Sequence, residues 1–190
     1  MTETQVTRED LAYVRAAADR SECIHIPSIY LLWAVICLCG FPLVDFVGPG
    51  SWLIGLYWFI AGPVGGLVTW RLAARAERRA GQVNREEGRR WAFHFLAFGG
   101  TGLLGFGMVG AGQLTWSGFT SLWILLLGLT YCLAGVHLER RLLPVGMALF
   151  AGYLIALLVP EYGFTVVGVL VALALSLQAY LGTRGQDAAN

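Results

Sequence analysis

Lysine is missing altogether: all 13 basic residues of this 190-residue chain are arginine. Charge of either sign is scarce, at 13%, about half of what a soluble domain carries. The net charge of +1 leaves no excess of clustered positive charge with which to grip nucleic-acid phosphates. Cysteine is sparse where oxidation would use it. Cys23, Cys37, Cys39 and Cys132 all avoid the expected outer loops, which excludes an exported disulfide framework. Cys37 and Cys39 stand two apart, about 200° on a helix, so they face opposite ways and read as small buried hydrophobes. No small-residue cleavage site follows an isolated short apolar core, so the first apolar run is expected to stay as a span.

Catalytic signatures are missing too. There is no G-x-S-x-G, no P-loop, no H-E-x-x-H, and no G-x-G-x-x-G between a strand and a helix. No Asp, Glu or Arg is expected near a bilayer midplane, which counts against an ion-coupled transporter or a proton relay. The polar side chains expected at depth are Thr69, Thr101, Thr130 and Ser176, with Gln113 and Gln178 nearer the span ends.

What remains is apolar. Hydrophobic residues make up 57% and the mean hydropathy is +0.65, which points to a bilayer as solvent. Six runs have about the 20 apolar residues that a hydrocarbon core requires: 28–47, 51–70, 91–112, 118–137, 142–159 and 164–181. Pro27 opens the first, Gly48-Pro49-Gly50 turns the chain after it, and the second is expected to continue as a solvated helix to Ala80. Asn84-Arg85-Glu86-Glu87 reads as a cap for the third. Ahead of the spans, residues 7–22 read as a short amphipathic helix, with Thr7 and Asp10 at its start and Leu11, Val14 and Ala18 on one face. The expected fold class is therefore all-α: a polytopic membrane protein with six transmembrane helices in three hairpins, 28–70, 91–137 and 142–181. A cytoplasmic segment, 1–27, precedes them and a frayed tail, 182–190, follows.

Orientation follows from the arginines. The segment between the second and third runs holds Arg71, Arg75, Arg78, Arg79, Arg85, Arg89 and Arg90, and every expected outer segment holds none. The outer charges are Asp45 and Glu161 alone. By the positive-inside rule both termini are expected in the cytoplasm of a cell with an inner membrane. Trp52, Trp70, Trp91 and Trp116 fall near run ends, as an aromatic belt would. The outer turns 41–46 and 158–162 share a faint likeness, a possible remote repeat or a likeness of composition only.

Small residues suggest how the spans pack, because close backbone approach drives association between lipid-solvated helices. The third run carries Gly99, Gly100, Gly102, Gly105, Gly107, Gly110 and Gly112, and is expected at the centre of the bundle. Gly62 and Gly66 form a GxxxG pair in the second run, with Pro63 between them. Pro63 frees the carbonyl of Phe59, so it reads either as a hinge or as simple packing.

Two sets of residues are candidates for binding. Cys23, His25, His94 and His137 fall at a similar depth on the arginine-rich side, where imidazoles and a thiolate can hold a transition metal or haem iron, with Glu139 as an outer partner. The competing reading is interfacial histidines that bond backbone or water. Arg75, Arg78, Arg79, Arg89 and Arg90 either meet anionic lipid headgroups or a partner, or only fix topology. Glu77, Glu86 and Glu87 partly neutralise them, Glu86 standing four residues before Arg90.

Asp19-Arg20-Ser21-Glu22 before the first run, YCLAGVHLERRLL over 131–143 and LLVPEYGF over 157–164 together resemble a group of small bacterial inner-membrane proteins with six spans. The resemblance covers about half the chain. It implies six spans with both ends inside and brings no activity, cofactor or site residue. The functional expectation is a non-enzymatic structural, accessory or assembly subunit, its partners being membrane lipids, a second copy or another membrane protein. Two alternatives stay open: a metal- or haem-binding membrane protein, and a small channel or lipid transporter with its kink at Pro63.

Overall fold

The computed structural model describes residues 25–81, 85–159 and 161–187. The expected 7–22 helix, Cys23, the Asn84 cap and residues 188–190 lie outside that set. The described residues are helical. In chain order they form α1 (Pro27–Gly40), α2 (Pro42–Val47), α3 (Trp52–Ala80), α4 (Arg85–Gly110), α5 (Trp116–His137), a 3-10 turn (Arg140–Leu142), α6 (Leu143–Leu158) and α7 (Gly163–Asp187). Six helices, with α1 and α2 taken together, are long and apolar enough to cross a membrane.

Local chemistry accounts for the boundaries. Pro27 occupies the first turn of α1, where its missing N–H costs nothing. Pro42 interrupts that helix two residues after Gly40, because it has no N–H to give the carbonyl of Leu38. Phe41 nevertheless keeps helical angles and donates its N–H to the Cys37 carbonyl at 3.1 Å, so the span bends without ending. α3 runs unbroken through Pro63 and ends at Gly81, whose φ of 65° a residue with a Cβ adopts only with strain. Thr115 caps α5 by accepting the Gly118 N–H at 3.1 Å.

The centre of the bundle is α7. Gly168, Ala172, Leu175, Ala179 and Gly182 recur at 4-3-4-3 spacing and are all buried. Tyr30, Ala34 and Cys37 of α1 with Phe41, its C-cap, repeat the pattern at 4-3-4 and are buried as well. The two helices run antiparallel: a Cβ on Gly168 would lie 3.2 Å from the Cys37 carbonyl oxygen, and Gly182 lies under the His25 ring. On its other side α7 inserts Val167 and Val171 among Val145 and Leu149 of α6, all at most 1% exposed. α6 and α5 meet backbone to backbone, since a Cβ on Gly146 would come within 2.6 Å of the Cys132 nitrogen. A Cβ on Gly135 would come within 2.5 Å of the Leu143 nitrogen.

α3 packs on α1 at one edge, and α4 packs on α5 at the other. Only 11% of each of these spans is buried, against 28% to 44% of the rest. The expectation that the glycine-rich third run lies at the centre is therefore corrected. Glycine lets a neighbour approach, but it offers no side-chain area to bury, and α4 is filled from one side only. There Trp123 of α5 sits over Gly102 and Phe119 over Gly105, within a ladder of rings that also includes Phe98, Phe106 and Trp116.

α7 also continues past Leu181, where a frayed tail was expected, to Asp187. Arg184 stacks over Tyr180 at 4.8 Å, and the Thr183 hydroxyl donates to the Tyr180 carbonyl at 2.7 Å.

Candidate functional site

The densest polar cluster gathers where α1 begins, the α5–α6 turn passes and α7 nears its end. His25 precedes the Pro27 helix start and is only 8% exposed. Its ring tilts against Tyr30 with centroids 4.9 Å apart, and its Nδ1 lies 3.6 Å from Oε1 of Glu139. The Tyr30 hydroxyl donates to that same carboxylate oxygen. Space for the imidazole comes from Gly182, where any Cβ would overlap the ring. Glu139 is held in place by the turn itself: its N–H reaches the Ala134 carbonyl at 2.8 Å and its carbonyl takes the Leu142 N–H at 2.9 Å. Burial pushes the imidazole below its usual pKa, the Arg141 guanidinium adds to that, and Glu139 and the Ala179 carbonyl pull the other way. The cluster is a polar tie among three separate parts of the chain.

The other two histidines have separate surroundings. His94 of α4 donates from Nε2 to the Thr130 carbonyl of α5 at 2.8 Å, which fixes its tautomer and pins the two helices together. The Thr130 hydroxyl in turn donates to the Leu126 carbonyl at 2.7 Å. His137 is exposed at the C-terminal end of α5. Among the described residues no three of His, Cys, Asp and Glu are close enough to share a metal ion. The candidate metal or haem set of His25, His94 and His137 is thus not brought together, and Cys23 lies outside the described residues. Helical rise within each span gives neither the offset between neighbouring helices nor the direction of a side chain: His94 meets Thr130, roughly 10 Å along α5 from His137.

Of the candidate arginines, Arg75, Arg78, Arg79 and Arg89 are exposed. Arg90 donates to Glu86 at 2.7 Å, an i,i+4 pair on an open surface. Of the candidate packing glycines, Gly102 and Gly105 receive the ring ladder, whereas Gly62, Gly66 and Gly110 have no neighbour within 4 Å among the described residues. Thr69, one of the few polar residues expected at depth, accepts the Trp33 indole N–H at 3.0 Å and helps hold α3 to α1. No helix break accompanies Pro63.

A second polar site escaped the sequence reading. At the opposite end of α7, Asp45 accepts three hydrogen bonds from the helix start. Its Oδ2 takes the Thr165 N–H at 2.6 Å and the Thr165 hydroxyl at 2.7 Å, and its Oδ1 takes the Phe164 N–H at 3.3 Å. A carboxylate 119 residues away thus satisfies first-turn donors that have no partner inside the helix. It borders a cavity of about 260 Å³ that Gly48, Ser117 and Glu161 also line. The available signal was a lone acid inside an otherwise apolar segment.

Compared with protein-family models, with curated proteins and with solved structures, the chain matches none.

Proposed function

We propose that the chain is a polytopic protein of the bacterial cytoplasmic membrane that serves as a structural or assembly subunit, presenting α3 and α4 to a membrane-embedded partner. The observation that carries this reading is the contrast between a packed centre and two bare edges. α1, α5, α6 and α7 bury apolar side chains against one another, while α3 and α4 are 11% buried. Those edges carry glycines at Gly62, Gly66, Gly99, Gly100, Gly107 and Gly110 that meet nothing within 4 Å among the described residues. In lipid, such positions permit close backbone approach by another helix. The arginine distribution supports three hairpins with both termini in the cytoplasm, as does the resemblance to small six-span membrane proteins.

Crosslinking in native membranes tests the reading. Single cysteines at positions 62 and 107 should give specific adducts with a second copy or another membrane protein. The native Cys39, exposed on α1, serves as the comparison site. A chain without adducts at positions 62 and 107, or with adducts at Cys39 alone, would overturn it.

A further inference from the structure

Beyond Trp70, α3 leaves the apolar span and continues as helix for ten residues, 71–80. This extension carries four arginines, Arg71, Arg75, Arg78 and Arg79, all exposed. At 3.6 residues per turn, the first three fall within an arc of roughly 60° and Arg79 widens it to roughly 100°. Glu77 falls on the opposite side of the helix, roughly 150° from the middle of that arc. The ion pairs among the described residues are His25–Glu139 and Arg90–Glu86, so none of the four is neutralised within the described chain. The side of α3 that packs on α1, marked by Gly65 against Trp33 and Ile36, is roughly a quarter turn away. All four arginines are exposed, so this face is open on the described structure.

Arg78 and Arg79 lie in the last turn, where a helix dipole alone favours positive charge. Arg71 and Arg75 lie earlier and have no such explanation. Arg71 follows directly on Trp70, a 67% exposed indole at the end of the apolar run. A headgroup layer is roughly 5–7 Å thick on each side of the hydrocarbon. Arg75 stands roughly 6 Å beyond Arg71 along the axis, so both guanidinium groups fall within that layer. Arg78 and Arg79 stand roughly 10–12 Å out, beyond direct contact but near the Debye length.

We propose that Arg71 and Arg75, backed by Arg78 and Arg79, form a docking face on α3 for the anionic phospholipid headgroups of the leaflet from which the helix emerges. The positive charge of each guanidinium favours a headgroup of net negative charge, and the adjacent Trp70 ring matches the glycerol level. The proposal rests on the six-span reading above.

The test uses the full chain in nanodiscs of phosphatidylcholine with a minority of phosphatidylglycerol. The ratio of the two lipids retained by the protein is read by native mass spectrometry. Wild type should retain phosphatidylglycerol above its bulk fraction. Each arginine at headgroup depth should contribute on the order of fivefold. Arg71→Gln with Arg75→Gln should therefore lower the enrichment about 25-fold. Arg78→Gln with Arg79→Gln should lower it far less, and Arg71→Lys with Arg75→Lys should keep most of it. Retention at the bulk ratio would overturn the proposal, as would an equal loss in the lysine and glutamine variants. A greater loss from the distal pair would also overturn it. Failure of wild type to enter the nanodisc would instead sink the six-span reading itself.

Discussion

Asp45→Ala is the most informative single substitution at the start of α7. It removes an acceptor that holds two donors of Thr165 at 2.6 and 2.7 Å and the Phe164 N–H at 3.3 Å. Hydrogen bonds to a charged group contribute about 1.5–3 kcal/mol, and a lost helix cap costs about 0.5–2 kcal/mol. The contacts share one carboxylate and are not additive, so the expected loss is about 2 kcal/mol. For a chain of this size that corresponds to a melting temperature lower by roughly 4–8 °C. Thermal unfolding of the purified protein in detergent reads it directly. Glu161→Ala, at an exposed carboxylate lining the same cavity, should stay within about 0.5 kcal/mol of wild type. Asp45→Asn should fall between, because an amide keeps one oxygen for Thr165 but turns a donor toward Phe164. In a double-mutant cycle, Thr165→Val should cost much less in the Asp45→Ala background than alone. If Asp45→Ala melts with Glu161→Ala, the carboxylate does not hold α7 and the reasoning fails.

Other expectations follow from the same geometry. Gly146→Ala should destabilise by about 1–3 kcal/mol, because the added methyl meets backbone of α5, while Gly107→Ala, in open space, should be neutral or slightly stabilising; paired melts decide this. Trp123→Ala removes ring contacts with Phe98 and Phe119, each pair contributing about 0.5–1.5 kcal/mol, so α4 amides should exchange faster while those of α7 do not. His25 has a folded pKa below its ordinary 6.5, so the unfolded chain takes up the proton first as the pH falls. The cluster's contribution should be whole above pH 6.5 and decline below it, toward the folded pKa. His25→Gln should flatten that part of the melting curve against pH, and an unchanged slope would remove His25 as its source.

The spans were legible in the sequence because hydropathy and arginine placement are read along one dimension. Hydrocarbon thickness fixes how long each run must be, and the exclusion of guanidinium groups fixes where each run ends. The continuation of α3 to Ala80 was legible for a similar reason: no breaker intervenes before Gly81. Which helix occupies the centre was not legible by glycine count. The seam Gly168, Ala172, Leu175, Ala179 and Gly182 is a spacing signal, hidden among other apolar residues, and the abundant glycines of α4 outweighed it by number alone. The spacing of Gly128, Cys132 and Gly135 on α5 is hidden in the same way. The histidines show the complementary limit. A common depth was expected from helical rise, but His94 bonds the Thr130 carbonyl, seven residues and roughly 10 Å along α5 from His137. How helices slide and rotate against one another is encoded by no short motif in this chain. Asp45 pairs with Thr165 across 120 residues, and nothing local to either residue announces it.

A bilayer across these helices, with the arginine segment on the cytoplasmic side, is the central claim to test. Single cysteines at positions 49, 81 and 161, in a background lacking the native cysteines, can be labelled in intact cells opened only to the periplasm with a membrane-impermeant maleimide. Positions 49 and 161 should label at once, and position 81 only after the inner membrane is permeabilised. Labelling at position 81 from the periplasm, with 49 and 161 protected, would contradict the account.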